Sequence, residues 1–371
     1  MVHWRTPVVM VLVALIGAGC QRSAGDEGAD ATTTTTAMPT AVGSREVAFA
    51  TMLGREGQLA LVELGAGSPP RTVTDEAAVY ESLSWSPDGE RVAFTSDRDG
   101  NFELYVLDLA ARRLTRLTDD PAADAWPTFS PDGEHIAFTS DRAGSFGLYV
   151  MRADGSETRL LHGEPSGRAS EPVWSPDGRR IAYTWNAPGG SPGLGNDEVF
   201  VTAADGSSPP RNLTNHPRPD YGPRWSPDGR RIAFVAQRDQ APDVWTMDAD
   251  GSDQRNLTGS ADVADLAPAW SPDGGSIAYL SFRDDPFAPD VFVADAAGRV
   301  ARNVTASPDL AERAPQWIDE GWLLFGAAAE GVENLFVAPA DGSRTPIAVT
   351  AHRARDLWPA LRPGAAGANS R

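Results

Sequence analysis

Five acidic residues occupy one repeated place in this chain. Asp124, Asp220, Asp265, Glu312 and Asp356 each stand five residues ahead of a recurring aromatic or leucine, with Tyr80 and Ala169 at the two remaining equivalents. Carboxylates gathered at one depth around an opening would form a funnel that attracts cations. Arg98, Arg142, Arg238 and Arg283 stand 18 residues after Tyr80, Asp124, Asp220 and Asp265, and Arg55 takes the same loop place in the first unit, so acids and arginines could instead pair within a blade and brace its loops. Both roles fit the spacing. His162, His216 and His352 raise metal coordination, but they fall in separate repeats and no close His or Cys spacing accompanies them, so no metal and no cofactor is expected.

Three other patterns match chemistry only in form. Gly189-Gly190-Ser191-Pro192-Gly193 has the letters of a nucleophile elbow, yet no strand, sharp turn and helix surround it. Asp248, Asp250 and Asp253 put glycine at the fourth place of the run, where a calcium loop needs it at the sixth. Asn212, Asn256 and Asn303 each begin an Asn-x-Thr triplet, and their recurrence at one strand position marks them as part of the repeat rather than as glycan acceptors.

The elements that position these residues are set by a repeat. Trp85-Ser86-Pro87-Asp88-Gly89 returns at 129–133, 174–178, 225–229 and 270–274, in worn form at 317–321, and as Leu361-Arg362-Pro363-Gly364. The intervals of 44, 45, 51, 45, 47 and 44 residues signal stacked units that cannot bury their apolar faces alone. Ser-Pro-Asp-Gly is turn chemistry and predicts a hairpin tip. Behind each tip lies an apolar run such as Val92-Ala93-Phe94 or Ile232-Ala233-Phe234, expected to be a strand buried on both faces. A third strand, an Asp-Gly-Ser turn and a short Arg-Leu-Thr or Asn-Leu-Thr strand complete four antiparallel strands in about 45 residues, the size of a β-propeller blade.

The first unit lacks its leading strand and opens at Val47-Ala48-Phe49, while 357–361 is a leading strand with nothing after it. The expectation is an all-β, seven-bladed β-propeller of four-stranded antiparallel blades over residues 45–364. The C-terminal strand closes it by joining the N-terminal blade, which removes open edges.

The Pro-x-Trp-Ser-Pro-Asp-Gly, Ile-Ala-Phe and Asn-Leu-Thr segments resemble the Pro-Asp, WD-like propeller repeat of TolB-like proteins, from about residue 46 to 363. The resemblance implies protein–protein work in the cell envelope. The small domain that precedes the propeller in TolB has no counterpart here, so a Tol-specific role is not part of that expectation. Similar blades occur in the propellers of prolyl oligopeptidases and dipeptidyl peptidases and in oligogalacturonate lyases, the last with His-rich metal sites at the ring centre. The alternative reading is therefore a propeller enzyme or carbohydrate-binding protein, lyase-like, with a metal at the channel mouth. A peptidase is disfavoured because the chain has no room for an α/β-hydrolase domain.

Strand alternation places the hairpin tips on one face of the ring and the loops between second and third strands, with those between blades, on the other. The second face varies most, and variation on a rigid frame is where binding surfaces form. Candidate binding residues there are Asp124, Asp220, Asp265, Glu312, Asp356, Trp126, Trp358, Tyr221, Trp185 and Asn186. The Gly- and Pro-rich stretch 186–197 accounts for the longest interval.

Residues 1–20 read as a targeting segment: Arg5, an apolar core from Val8 to Ile16, and small residues before Cys20, the only cysteine. The segment resembles a bacterial lipobox, which implies lipidation of Cys20, with Gly17 where leucine is commoner. Residues 21–44 have the composition of a flexible Thr, Gly and Ala linker, and 365–371 that of a disordered tail. A formal charge of −19 argues against nucleic acid and against adhesion to anionic lipid beyond an anchor. The sequence thus predicts an exported, lipid-anchored, monomeric envelope protein, without catalytic residues, that binds another envelope protein or a peptide.

Overall fold

The computed structural model describes residues 45–53, 56–187, 196–260, 262–307, 310–329, 332–351 and 354–364. These form seven four-stranded antiparallel sheets and no helix. Blades 2 to 7 run in chain order. Their inner strands are Tyr80–Trp85, Asp124–Phe129, Arg168–Trp174, Asp220–Trp225, Asp265–Trp270 and Ala311–Trp317. Blade 1 takes its inner strand, Arg355–Leu361, from the far end of the chain and pairs it with Glu46–Leu53. Val47 lies opposite Leu361, and Arg362 donates its backbone N–H to the Glu46 carbonyl at 2.8 Å while its guanidinium meets the Glu46 carboxylate at 2.6 Å.

The alternation of large and small residues explains how sheet stacks on sheet. In blade 3, Ile136 and Phe138 face blade 2, packing with Ala93, Leu104 and Val106, whereas Ala137 faces blade 4 and meets Ile181 and Tyr183. Alanine on one face leaves room for the bulky residues of the next blade, so the Ile-Ala-Phe plan propagates round the ring. Seven apolar clusters fill seven seams. The last joins Val47 and Phe49 of blade 1 to Leu324, Leu335 and Val337 of blade 7, which closes the circle.

The tips are held by their own side chains. Ser86 Oγ donates to Asp88 Oδ1 at 2.5 Å, Asp88 Oδ1 also receives the Glu90 N–H at 2.9 Å, and Gly89 takes φ 70°. The same turn recurs at Ser130, Ser175, Ser226 and Ser271. Outer strands are short, two to four residues. The Asn of Asn-x-Thr ends them by turning its side chain back onto the backbone: Asn303 Oδ1 receives the N–H groups of Thr305 and Ala306.

Five lead tryptophans staple one inner strand to the next. Nε1 of Trp85, Trp174, Trp225, Trp270 and Trp317 donates to the carbonyls of Ala360, Thr128, Val173, Arg224 and Ala269, at 2.8 to 3.3 Å.

Every inner strand also carries a β-bulge at its third residue or the residues beside it. Ser82, Trp126, Glu171, Gly222, Ala267, Ala314 and Trp358 all adopt φ between 50° and 66° except Ala314 at 43°. Six of the seven are non-glycine residues in a left-handed conformation, and six are followed by proline.

Candidate binding site at the channel mouth

The bulge decides what each inner strand shows to solvent. The residue two places before the left-handed one lies in the seam, with its N–H bonded to the preceding blade: Asp124 to the Phe102 carbonyl, Asp265 to that of Pro242, Glu312 to that of Pro289. Accordingly Asp124, Asp220, Asp265, Glu312 and Asp356 are all 0% exposed. Of the two roles that the spacing allowed, the cation funnel does not form, because alternation points these carboxylates between blades and not into the channel, and pairing with arginine is seen at Asp124 and Asp220.

Their environments differ. Arg142 grips Asp124 with Nη2 at 2.9 and 2.7 Å from the two oxygens, and Arg238 holds Asp220 through Nε and Nη2 at 3.2 and 2.9 Å. Burial pushes both carboxyls up, and the guanidinium beside each offsets that in part. Asp265 receives the Ser260 hydroxyl at 2.9 Å, and Arg283 reaches only that hydroxyl, at 3.3 Å. Arg98 turns to Glu76 at 2.7 Å, since its blade offers Tyr80 in place of an acid. Arg55 lies outside the described residues.

Blade 4 lacks both acid and arginine and fills the place with rings. His162 stacks on Trp185 with centroids 3.8 Å apart, and its Nδ1 lies 2.6 Å from the Tyr183 hydroxyl. Trp185 is 2% exposed, so it is core and not the surface aromatic that its loop position suggested. Burial pushes the His162 imidazole down to about 4. His216 Nδ1 accepts the Arg218 N–H at 3.2 Å. Neither histidine belongs to a group of three metal-capable side chains among the described residues. The group found there, Asp132, Glu134 and His135, sits at a hairpin tip on the other face. His352, the loop 188–195 and Cys20 lie outside the described residues. Asn186 is tied to Asp197 at 2.8 Å.

Toward the channel stand the left-handed residue of each inner strand and the residue just before it. Trp126 and Trp358, both left-handed and partly exposed, occupy blades 3 and 1, on either side of blade 2. Blade 2 contributes Glu81, which burial, then Asp97, pushes up to about 7. Tyr221 is partly exposed in blade 5, and Glu171 pairs with Arg224 across the seam between blades 4 and 5 at 3.5 Å. Arg313 in blade 7 pairs with Glu333 at 3.4 Å. Glu81, Glu171, Arg224 and Arg313 escaped the sequence reading because no repeated residue marks their register.

A second set of acids was also missed. Glu103, Glu198, Asp243, Asp290 and Glu333, near the start of third strands, are at most 6% exposed. Four of them clamp the loop to the next blade through a backbone N–H: Asp120 to Glu103, His216 to Glu198, Ser260 to Asp243 and Ser307 to Asp290, at 2.9 to 3.1 Å. The signal was available as an acid at the head of the apolar third-strand run in five of the seven blades.

Seven closed four-stranded sheets with Ser-Pro-Asp-Gly tips define a seven-bladed β-propeller with an aromatic, mixed-charge mouth. The family model of the TolB β-propeller domain matches residues 39–190 and 158–265, together more than half of the chain, and the chain belongs to that family. An uncharacterised protein of Agrobacterium fabrum is 32% identical over 199 residues, 52% of this chain and 50% of its own length. The Tol-Pal system protein TolB of Bordetella pertussis is 34% identical over 56 residues, 15% of this chain and 13% of its own. The chain thus spans half, or less, of the curated relatives it matches.

Among solved structures, TolB from Acinetobacter baumannii superposes with a TM-score of 0.56 at 17% identity, covering 89% of this chain and 69% of that one. Oligogalacturonate lyase from Vibrio parahaemolyticus gives 0.63 at 15% identity, covering 83% and 86%. A puromycin-hydrolysing peptidase of Mycobacterium tuberculosis gives 0.63 at 16%, covering 83% and 54%. At these identities the likeness is one of fold, shared by binding proteins and enzymes alike.

Proposed function

We propose that this chain is a non-enzymatic binding protein of the bacterial cell envelope, lipid-anchored at Cys20, that receives a protein or peptide at the channel mouth on its loop face. The observation that carries the reading is the pair Trp126 and Trp358. Both are large aromatics held in a strained left-handed conformation in the inner strands on either side of blade 2, and both keep part of the ring exposed even though Trp358 also packs on the apolar cluster between blades 1 and 2, whereas the lead tryptophans make staples between blades. A bulky ring in a left-handed site costs about 1–2 kcal/mol relative to glycine, so contact with a ligand is the use that fits it. Tyr221, Glu171 and Arg224 add a polar rim around an aromatic centre, the usual anatomy of an interface.

Membership of the TolB β-propeller family and the resemblance of residues 1–20 to a lipobox support the envelope setting. Photo-cross-linking from position 221 in intact cells, with Trp126→Ala/Trp358→Ala as control, tests the binding role. A partner that is lost in the double variant is expected; a partner captured equally by both proteins sinks it. Cys20→Ser should move the protein from the membrane to the soluble fraction.

A further inference from the structure

The seam between blades 6 and 7 keeps three parts of a site whose fourth part the chain supplies elsewhere. In blade 3 the guanidinium of Arg142 bonds Asp124 and lies 5.5 and 5.2 Å from the ring centroids of Phe138 and Tyr149, which pair across the second and third strands. In blade 5, Arg238 bonds Asp220 and lies 5.7 and 4.3 Å from the rings of Phe234 and Trp245, paired in the same register. Carboxylate below and aromatic faces beside it make a complete guanidinium receptor.

Blade 7 has the carboxylate, Glu312, and the aromatic pair, Phe325 opposite Phe336, with centroids 6.0 Å apart and planes 16° from parallel. Glu312 lies opposite Ala327 as Asp124 lies opposite Ser140, so the register of Arg142 falls on Ala329. No basic residue occurs in the sequence from 327 to 332 either.

Glu312 is 0% exposed, and no well-aligned hydrogen bond reaches either of its oxygens from the described residues, although the Ser307 and Thr305 hydroxyls lie close enough to favour its ionised form in part. The two nearby hydroxyls are committed: Thr305 Oγ1 donates to Asp290 at 3.2 Å and Ser307 Oγ to the Thr305 carbonyl at 3.3 Å. A buried carboxylate without a partner is costly, and blade 4 shows how the fold avoids it, by giving up acid and arginine together. Blade 7 gives up only the arginine.

We propose that this seam binds a guanidinium group supplied from outside the chain, received by the Glu312 carboxylate and lying beside the Phe325–Phe336 ring pair as Arg142 lies beside Phe138 and Tyr149. The side chains of Arg142 and Arg238 are 23% and 14% exposed, so the equivalent place in blades 3 and 5 communicates with solvent at the loop face. Phe336 is partly exposed, which leaves an edge of the pair open in blade 7. An arginine side chain of a peptide is the class of ligand that matches. That source rests on the binding role proposed above, whereas the recognition of guanidinium itself does not.

The test is calorimetric titration of the full chain with N-acetyl-L-arginine amide in the millimolar range, with N-acetyl-L-lysine amide as comparison. Glu312 is pushed up to about 8 by burial and by Asp290, the charged group that faces it from blade 6. The cation therefore displaces a proton, and binding should tighten about tenfold from pH 7 to pH 9. Glu312→Gln should weaken binding at least tenfold. Ala329→Arg, which restores the chain's own guanidinium at the register of Arg142, should abolish binding and raise the melting temperature, and it serves if Glu312→Gln fails to fold. No binding by the unaltered chain, equal binding of the lysine amide, or binding unchanged by either variant overturns the proposal. Arginine amide binding in a protein that cross-links to no partner would uphold the seam and remove the envelope role.

Discussion

The indole Nε1 of Trp85 donates a 2.8 Å hydrogen bond to the carbonyl oxygen of Ala360, a residue 275 positions away in the chain. It joins the first inner strand of chain order to the strand that arrives last, so the closure is held by side chain as well as by backbone pairing. Trp85→Phe keeps the ring and removes the donor. The expected loss is about 1 kcal/mol, the net value of one hydrogen bond, against about 3–5 kcal/mol for Trp85→Ala. Urea unfolding of the two variants separates the terms, and a Trp85→Phe variant as stable as the unaltered chain would deny the staple a role.

Arg142→Ala leaves Asp124 buried without its cation. Breaking a buried pair from one side costs about 3–5 kcal/mol. The loss should be larger at pH 8 than at pH 5, because the stranded carboxyl, already raised by burial, escapes its penalty by taking a proton. Arg142→Met/Asp124→Leu should recover most of the stability in chemical denaturation.

His162 binds its proton less readily in the folded chain than in the unfolded one, about 4 against 6.5. Its contribution is complete above pH 6.5 and is lost as the pH falls toward 4, where the unfolded state holds the proton and the folded state resists it. The loss is on the order of 2–3 kcal/mol. His162→Phe should keep the stack on Trp185 and remove this part of the acid sensitivity, which denaturation midpoints at pH 4, 5 and 7 would show.

Glu312 works in the opposite sense. Its folded value of about 8 lies above the ordinary 4.5, so stability is fully present below pH 4.5 and declines as the pH rises through 8. Glu312→Gln, without added cation, should flatten that decline and be the more stable protein at pH 9. A decline of unchanged depth would place the titrating group elsewhere.

Ala267 and Ala314 hold left-handed bulge positions that glycine fills without steric cost. Replacing either by glycine should raise stability by up to about 1 kcal/mol, the strain relieved exceeding the entropy added to the unfolded chain. Trp126→Gly, at the same register, should be nearly neutral in thermal melts while weakening partner cross-linking.

Much of the architecture was legible because turn chemistry and large-small-large strands repeat in phase. Counting Val47 to Phe49 as a second strand and 357–361 as an inner one was enough to close the ring at seven. The orientation of the acids was not legible. Asp124 and Asp265 sit one residue from channel-facing positions, and only the bulge that follows separates seam from channel. That bulge leaves no trace in the sequence beyond a following proline, and Ser82 lacks even that. Trp185 misled for a related reason: it lies within the strand opposite Ala169, as Ser140 lies opposite Asp124, and blade 4 had exchanged a charged pair for stacked rings. Glu81 and Arg313 belong to no repeated column, so they needed coordinates.

The shared first blade has a temporal meaning. As the polypeptide emerges, six sheets can be finished while Glu46–Leu53 still shows an unpaired ribbon of N–H and C=O groups, and no rearrangement of those six can satisfy it. Only the arrival of Arg355–Leu361 ends this interval. Maturation is therefore timed by the tail, and a ribosome stalled short of it releases an aggregation-prone chain rather than a smaller functional one.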